Sequence, residues 1–203
     1  MGLREVAAQA ADQPVTATLG AGDSLLHGWL IPALPRTAAS LAVVALDGPE
    51  VALRLRDARI DLGVLRAGEA GRDLRVRPLG TIAYALYVPH VLCARPTTFE
   101  RVLATVPIAA RLGDPETVRF LTGPPALACE TFPQAQRAVA TGRYAALLPT
   151  FARRELSSRV CHELAVPLPS RKVSLAWHRR LERQQPRVVA LIDPLAAAFA
   201  RAL

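Results

Sequence analysis

Apolar positions along the chain fall into short blocks whose period keeps changing. Residues 15–19 alternate and are rich in β-branched side chains, which predicts a strand. Gly20-Ala21-Gly22-Asp23-Ser24 follows as a flexible turn with Asp23 or Ser24 as N-cap. Residues 25–34 then read as a helix with Leu26, Trp29 and Leu30 inward and Pro32 near its end. LAVVAL at 41–46 predicts a buried strand, Asp47-Gly48-Pro49 a turn, and 50–58 a short amphipathic helix. That helix carries Val51, Leu53 and Leu55, with Arg54, Arg56 and Arg59 on or near its solvent side. The polar turn at 57–61 releases Leu62, Val64 and Leu65 into a central buried strand over 60–65, and Arg66-Ala67-Gly68 leave it at its carboxyl end. In an open α/β sheet that is where ligands sit.

Residues 81–88 alternate through Ile82, Tyr84, Leu86 and Val88 up to Pro89. Shorter elements follow: a helix at 97–104, strands at 106–110 and 126–130, and a helix at 134–141 with Thr131 as cap and Pro133 in its early turn. Gly142 ends that helix. A buried strand at 144–148 is closed by Pro149, a helix lies at 152–157 and a strand at 173–177, and a last helix at 187–203 bends at Pro194. Residues 3–11 have helical spacing and are stopped by Pro14. Strands alternating with helices predict parallel sheets with right-handed crossovers. The fold class is therefore α/β, in two Rossmann-like lobes joined by two crossing segments. Lobe I comprises residues 14–104 plus 172–203 and lobe II residues 105–171, with 1–13 as a tail or the remnant of a linker helix.

Composition removes several function classes. At 203 residues and 51% hydrophobic content the chain can bury a real core. Its net charge of +8 favours anionic ligands or an acidic partner surface. Lys172 is the single lysine and the arginines are scattered, so no basic block points to direct nucleic-acid binding. Cys93, Cys129 and Cys161 are too few and too far apart for a disulfide framework or metal knuckle. Neither a signal peptide nor an apolar run long enough for a bilayer is present, so a cytoplasmic protein without a membrane partner is expected. His27, His90, His162 and His178 lack HxH or HExxH spacing, and there is no G-x-S-x-G elbow. Adjacent Cys161 and His162 point in different directions. No metal, cofactor or catalytic residue is expected.

Four stretches carry a family resemblance. They are Gly20-Ala21 leading through Ser24 to Leu30-Ile31-Pro32; VALRLRDARIDLGVL at 51–65; Val76-Arg77-Pro78-Leu79 running into the strand at 86–89; and Thr131 through Pro149. In their order and spacing they resemble the effector-binding domain of LysR-type transcriptional regulators, over nearly all of residues 15–203. Three features depart from the family pattern: the helix after Pro32 is shorter, the aromatic stretch before the second strand is absent, and Tyr144 stands where a second glycine follows the interlobe helix. No winged helix-turn-helix lies in these residues, so the chain is either an excised regulatory domain or a natural solitary sensor. The resemblance implies a type 2 periplasmic-binding-protein-like fold with an effector cleft between its lobes. It also implies a homo-oligomer, a dimer or in the full regulator a tetramer, with the helix at 25–34 at the interface in one lobe, and DNA contact only through an N-terminal domain outside these residues. Ligand closure would act through oligomer geometry, with no chemistry on the ligand. The rivals are a transporter's solute-binding protein and a small enzyme on the same fold. The enzyme would need an acid–base pair, and only Asp23 and Glu130 stand at strand ends.

Carried over position by position, the effector contacts are Gly22, Asp23 and Ser24; Arg66, Ala67 and Gly68; Thr131 and Phe132; and Leu148, Pro149 and Thr150. Ser24 and Thr131 either bind a carboxylate beside free helix N–H groups or simply cap their helices. Arg66 either grips a carboxylate bidentately or is an exposed rim arginine. Phe132 either stacks on an aromatic effector or belongs to the core. Asp23 stands where an anion would approach the helix after the first turn. Of Tyr84 and Tyr87, at most one lines the cleft. Cys129 is either an oxidant sensor or an inert buried thiol.

Overall fold

The first sheet grows outward from β1 (Thr16–Ala21), which pairs in parallel with β2 (Ser40–Ala45) on one side and β3 (Leu62–Arg66) on the other. The computed structural model describes residues 14–36, 39–95, 98–112, 115–121 and 123–203. The helical reading of residues 3–11 lies outside them. The sheet is completed by β4 (Leu74–Ile82) and by β10 (Arg171–His178), in the order β2-β1-β3-β10-β4. Helix α2 (Gly48–Arg56) lies on it and buries Val51, Ala52 and Leu55 against Leu46, Ile60, Leu65, Leu74 and Ala176. Gly20 and Gly63, opposite one another across β1 and β3, let α2 approach. A methyl at either would come within 2.7 Å of Ile60 or 2.5 Å of Val51.

The second sheet has the order β7-β6-β8-β5-β9. Its strands are β5 (Tyr84–Pro89), β6 (Ile108–Arg111), β7 (Leu127–Cys129), β8 (Ala145–Pro149) and β9 (Cys161–Ala165). Strand β6 pairs in parallel with β7 and β8, whereas β5 runs antiparallel to both β8 and β9. Helices α3 (Phe99–Thr105), α4 (Pro115–Val118) and α5 (Phe132–Ala140) belong to this sheet's unit. Phe99, Val102, Val106 and Ile108 pack with Leu86, Val88 and Ala145 in its core.

Two compact units result. The first takes its described residues from 1–22, Leu34–Leu79 and Ser174–Arg201; the second comprises Asp23–Ala33, Gly80–Val173 and Ala202–Leu203. The first crossing therefore falls at 79–80 instead of near 104, because β5 spends its hydrogen bonds on β8 and β9. Likewise α1 (residues 23–33) leaves β1 and packs with the second unit, although the sequence placed it in lobe I. The middle of α1, Leu26–Leu30, is a π-helical turn between two short α-helical pieces. Leu26, Trp29 and Leu30 face inward as expected.

Several local expectations change. The strand at 41–46 is an exposed sheet edge, with Val43 40% accessible, because among the described residues β1 alone pairs with it. Leu53 of α2 is 53% accessible, so the buried stripe runs through Val51, Ala52 and Leu55. The alternating run 81–88 breaks at Ala83 into β4 and β5 of different sheets. Strand β4 tolerates Pro78 because it is an edge. The helix placed at 152–157 is a 3-10 turn, Thr150–Arg154. The helix placed at 187–203 is two pieces, α7 (Pro186–Val189) and α8 (Ile192–Arg201), preceded by a separate short helix, α6 (Leu181–Gln184). Pro194 lies in the first turn of α8, where an absent N–H costs nothing, so it does not bend the helix.

Candidate functional site

Within the second unit, the site forms at the amino end of α5. Thr131 is its N-cap, in extended conformation, and Pro133 occupies the first turn. The Thr131 hydroxyl accepts a hydrogen bond from the Gln134 N–H at 3.4 Å, and the Gln134 side-chain oxygen accepts from the N–H groups of Glu130 (2.8 Å) and Thr131 (3.3 Å). This is a capping box of the T-x-x-Q type. The remaining donor, the Phe132 N–H, points to the Asp23 carboxylate at 2.5 Å. Pro133 has no N–H to offer. All the helix-end donors from Glu130 to Gln134 are thus met by the protein's own groups.

Asp23 opens α1, yet its carboxylate reaches the end of a different helix. Its other oxygen lies 3.3 Å from His27 Nε2, one helical turn on. Arg111, the last residue of β6, brings a guanidinium nitrogen to 4.0 Å. The Asp23 side chain is 14% accessible and that of Arg111 23%, so their attraction is less screened than at an open surface. Beneath them, Phe132 and Phe151 meet edge-on with ring centroids 5.8 Å apart. Gly28 lies against both rings: a Cβ there would be 2.2 Å from Phe151. The missing side chain of Gly28 thus lets α1 lie against this aromatic floor.

The expected residues divide between the units. Asp23, Ser24, Thr131, Phe132, Leu148, Pro149 and Thr150 belong to the second; Gly22, Arg66, Ala67 and Gly68 belong to the first. Phe132 is 2% accessible and Leu148 4%, so both side chains belong to the core. Thr150 donates its N–H to the Ala83 carbonyl at 2.9 Å, and its carbonyl accepts from the Tyr87 hydroxyl at 3.1 Å. Tyr87 is fully buried, and burial, with the Glu163 carboxylate adding to it, pushes its phenol above its ordinary value. In the first unit, the Arg66 N–H donates to the Glu69 carboxylate at 2.7 Å and the Glu69 N–H to the Arg66 carbonyl at 3.2 Å. The Arg66–Gly68 stretch is therefore a closed turn, with Gly68 in the left-handed region.

Three site residues escaped the sequence: His27, Arg111 and Gln134. The T-x-x-Q pattern at 131–134 signals the capping box, and Arg111 ends a strand at its carboxyl end. Nothing in the sequence joins Asp23 to Phe132, 109 positions away. The fold also brings together two histidines from separate elements: His90 Nδ1 lies 2.9 Å from His162 Nε2 because Val88 faces His162 across β5 and β9. Among the described residues no group of three His, Cys, Asp or Glu side chains is arranged to hold a metal ion. Cys129 and Cys161 are buried, and burial raises both thiols above their ordinary value, with the Glu163 carboxylate adding at Cys161.

No curated protein matches the chain in sequence. In fold it is similar to a full-length OxyR variant from Pseudomonas aeruginosa, at 21% identity over 98% of this chain and 78% of that chain, TM-score 0.69. It is similar to an OxyR mutant from Porphyromonas gingivalis at 18% identity, 90% and 92% coverage, TM-score 0.69. The reduced form of OxyR from N. meningitidis matches at 19% identity, 92% and 95% coverage, TM-score 0.67. No helix among the described residues is long and apolar enough to cross a membrane. The LysR substrate binding domain family matches residues 15–200. Because that match runs through both sheets, from β1 to α8, the chain belongs to the LysR substrate binding domain family and is an effector-sensing regulatory domain.

Proposed function

We propose that this domain senses a small anionic effector, and that the amino end of α5 together with Arg111 holds its charged group. The observation that carries the reading is Asp23. A carboxylate already rests on the Phe132 N–H, beside a guanidinium and an imidazole, so the donor set suits a carboxylate in size and charge. The net charge of +8 would draw anions toward it. Ser24, Leu148, Pro149 and Thr150, of the same unit, stand in this proposal as further contacts on the family resemblance, and Gly22, Arg66, Ala67 and Gly68 of the first unit are contacts that the resemblance alone implies. Binding selects one of two conformations, with no chemistry on the ligand. The response passes through a homodimer in the cytoplasm to a DNA-binding domain outside these residues. The raised, buried thiols of Cys129 and Cys161 favour a bound ligand over thiol oxidation as the signal.

Thermal melting against a panel of small carboxylates, aromatic acids and amino acids tests this. A ligand at 100 times its dissociation constant adds ~2.7 kcal/mol of stability. The shift should vanish in Arg111→Ala. A panel that leaves the melt unchanged, or a shift that survives Arg111→Ala, overturns the anionic reading.

A further inference from the structure

The occupied state of the α5 amino end raises a question of competition. Every N–H there already has an internal acceptor, and only one of those acceptors comes from another element: Asp23. Thr131 and Gln134 close a local capping box, which any ligand can leave intact. An anion reaching the Phe132 N–H and Arg111 has to take the place of the Asp23 carboxylate.

We infer that Asp23 is the specificity-determining residue of this site: a tethered carboxylate that holds the effector's place and that the effector must displace. This deepens the proposed anionic effector and rests on that reading. A tethered competitor acts at an effective concentration on the order of millimolar, so weakly binding background anions fail to dislodge it. Apparent affinity falls with the fraction of molecules whose site is vacant. Asp23 also opens α1, the segment that leaves β1 of the first unit and packs with the second. Displacing its carboxylate removes the hydrogen bond from Phe132 to that segment, while the packing of Gly28 against the Phe151 ring remains. Ligand binding is thereby coupled to how firmly residues 23–33 are docked.

Calorimetric titration with acetate, benzoate and sulfate, on the wild type, Asp23→Asn and Asp23→Ala, tests the inference. Asparagine keeps the shape and removes the charge, so a probe that binds the wild type should bind Asp23→Asn at least tenfold more tightly, and Asp23→Ala more tightly still. Hydrogen exchange on the wild type gives an independent readout that needs no variant. A bound probe should lower amide protection across residues 23–33. Equal or weaker binding in both variants, or unchanged protection in 23–33 with the probe bound, overturns the place-holding role and leaves the anionic site standing. If no probe binds any of the three proteins, the anionic effector reading fails and this inference falls with it.

Discussion

Gly28 shows how one absent side chain conditions the site. Alanine is the better helix former by about 1 kcal/mol. Here, however, its methyl would stand 2.2 Å from a buried ring carbon of Phe151 and 3.1 Å from Phe132. Both rings are buried, and overpacking of this kind costs about 1–3 kcal/mol. Gly28→Ala should lower the urea midpoint accordingly, and Phe151→Leu in the same chain should recover part of the loss. The thiols act at the same scale. Their raised folded values mean that the unfolded chain releases these protons first as pH climbs past the ordinary value of 9.0. The stability they contribute is complete below that pH and is lost as pH rises toward their folded values. Urea midpoints should therefore fall as pH rises above 9.0, and fall less steeply in Cys129→Ala/Cys161→Ala. At neutral pH an aromatic disulfide reagent should modify half-buried Cys93 first and the other two only on unfolding.

At the scale of elements, both ends of helices repay attention. Helix α2 ends in a Schellman motif: the Arg59 N–H bonds the Arg54 carbonyl at 2.9 Å and the Ala58 N–H bonds Leu55 at 3.3 Å. The turning residue, Ala58, has φ of 56°, a conformation that suits glycine. Ala58→Gly should therefore stabilise the protein, by up to about 1 kcal/mol in urea unfolding. At α5, Thr131→Ala removes the cap and should cost about 1 kcal/mol, while Thr131→Ser keeps the capping hydroxyl and should leave the urea midpoint unchanged or slightly raised. Apolar spacing and capping residues made most of the buried face of α2 and the position of α5 legible in the sequence. Strands β4 and β9 were not legible: LRVRPLGTI and CHELA carry charges and a proline that only an edge position accommodates.

For the whole molecule, the open edge of the first sheet matters most. Among the described residues β2 ends the sheet and presents Leu41 and Val43, the kind of edge a second copy of the chain can cover. Equilibrium sedimentation should find a dimer, and Val43→Lys should shift it toward monomer without lowering the thermal midpoint of the monomer itself. A wild type that sediments as a monomer at micromolar concentration overturns this assembly.

The amino-acid sequence by itself determined the α/β class, the order of most elements, the helix cap at Thr131, and enough motif spacing to point to the family. Those features depend on residues close together in the chain, where periodicity and capping chemistry act. Tertiary structure alone decided that β5 belongs to the second sheet, that α1 leaves β1 for the second unit, and that Asp23 meets Phe132 and Arg111. Each of these depends on which distant groups satisfy one another once the backbone is buried. A hydrogen bond spanning 109 residues leaves no local trace in either of the segments that make it.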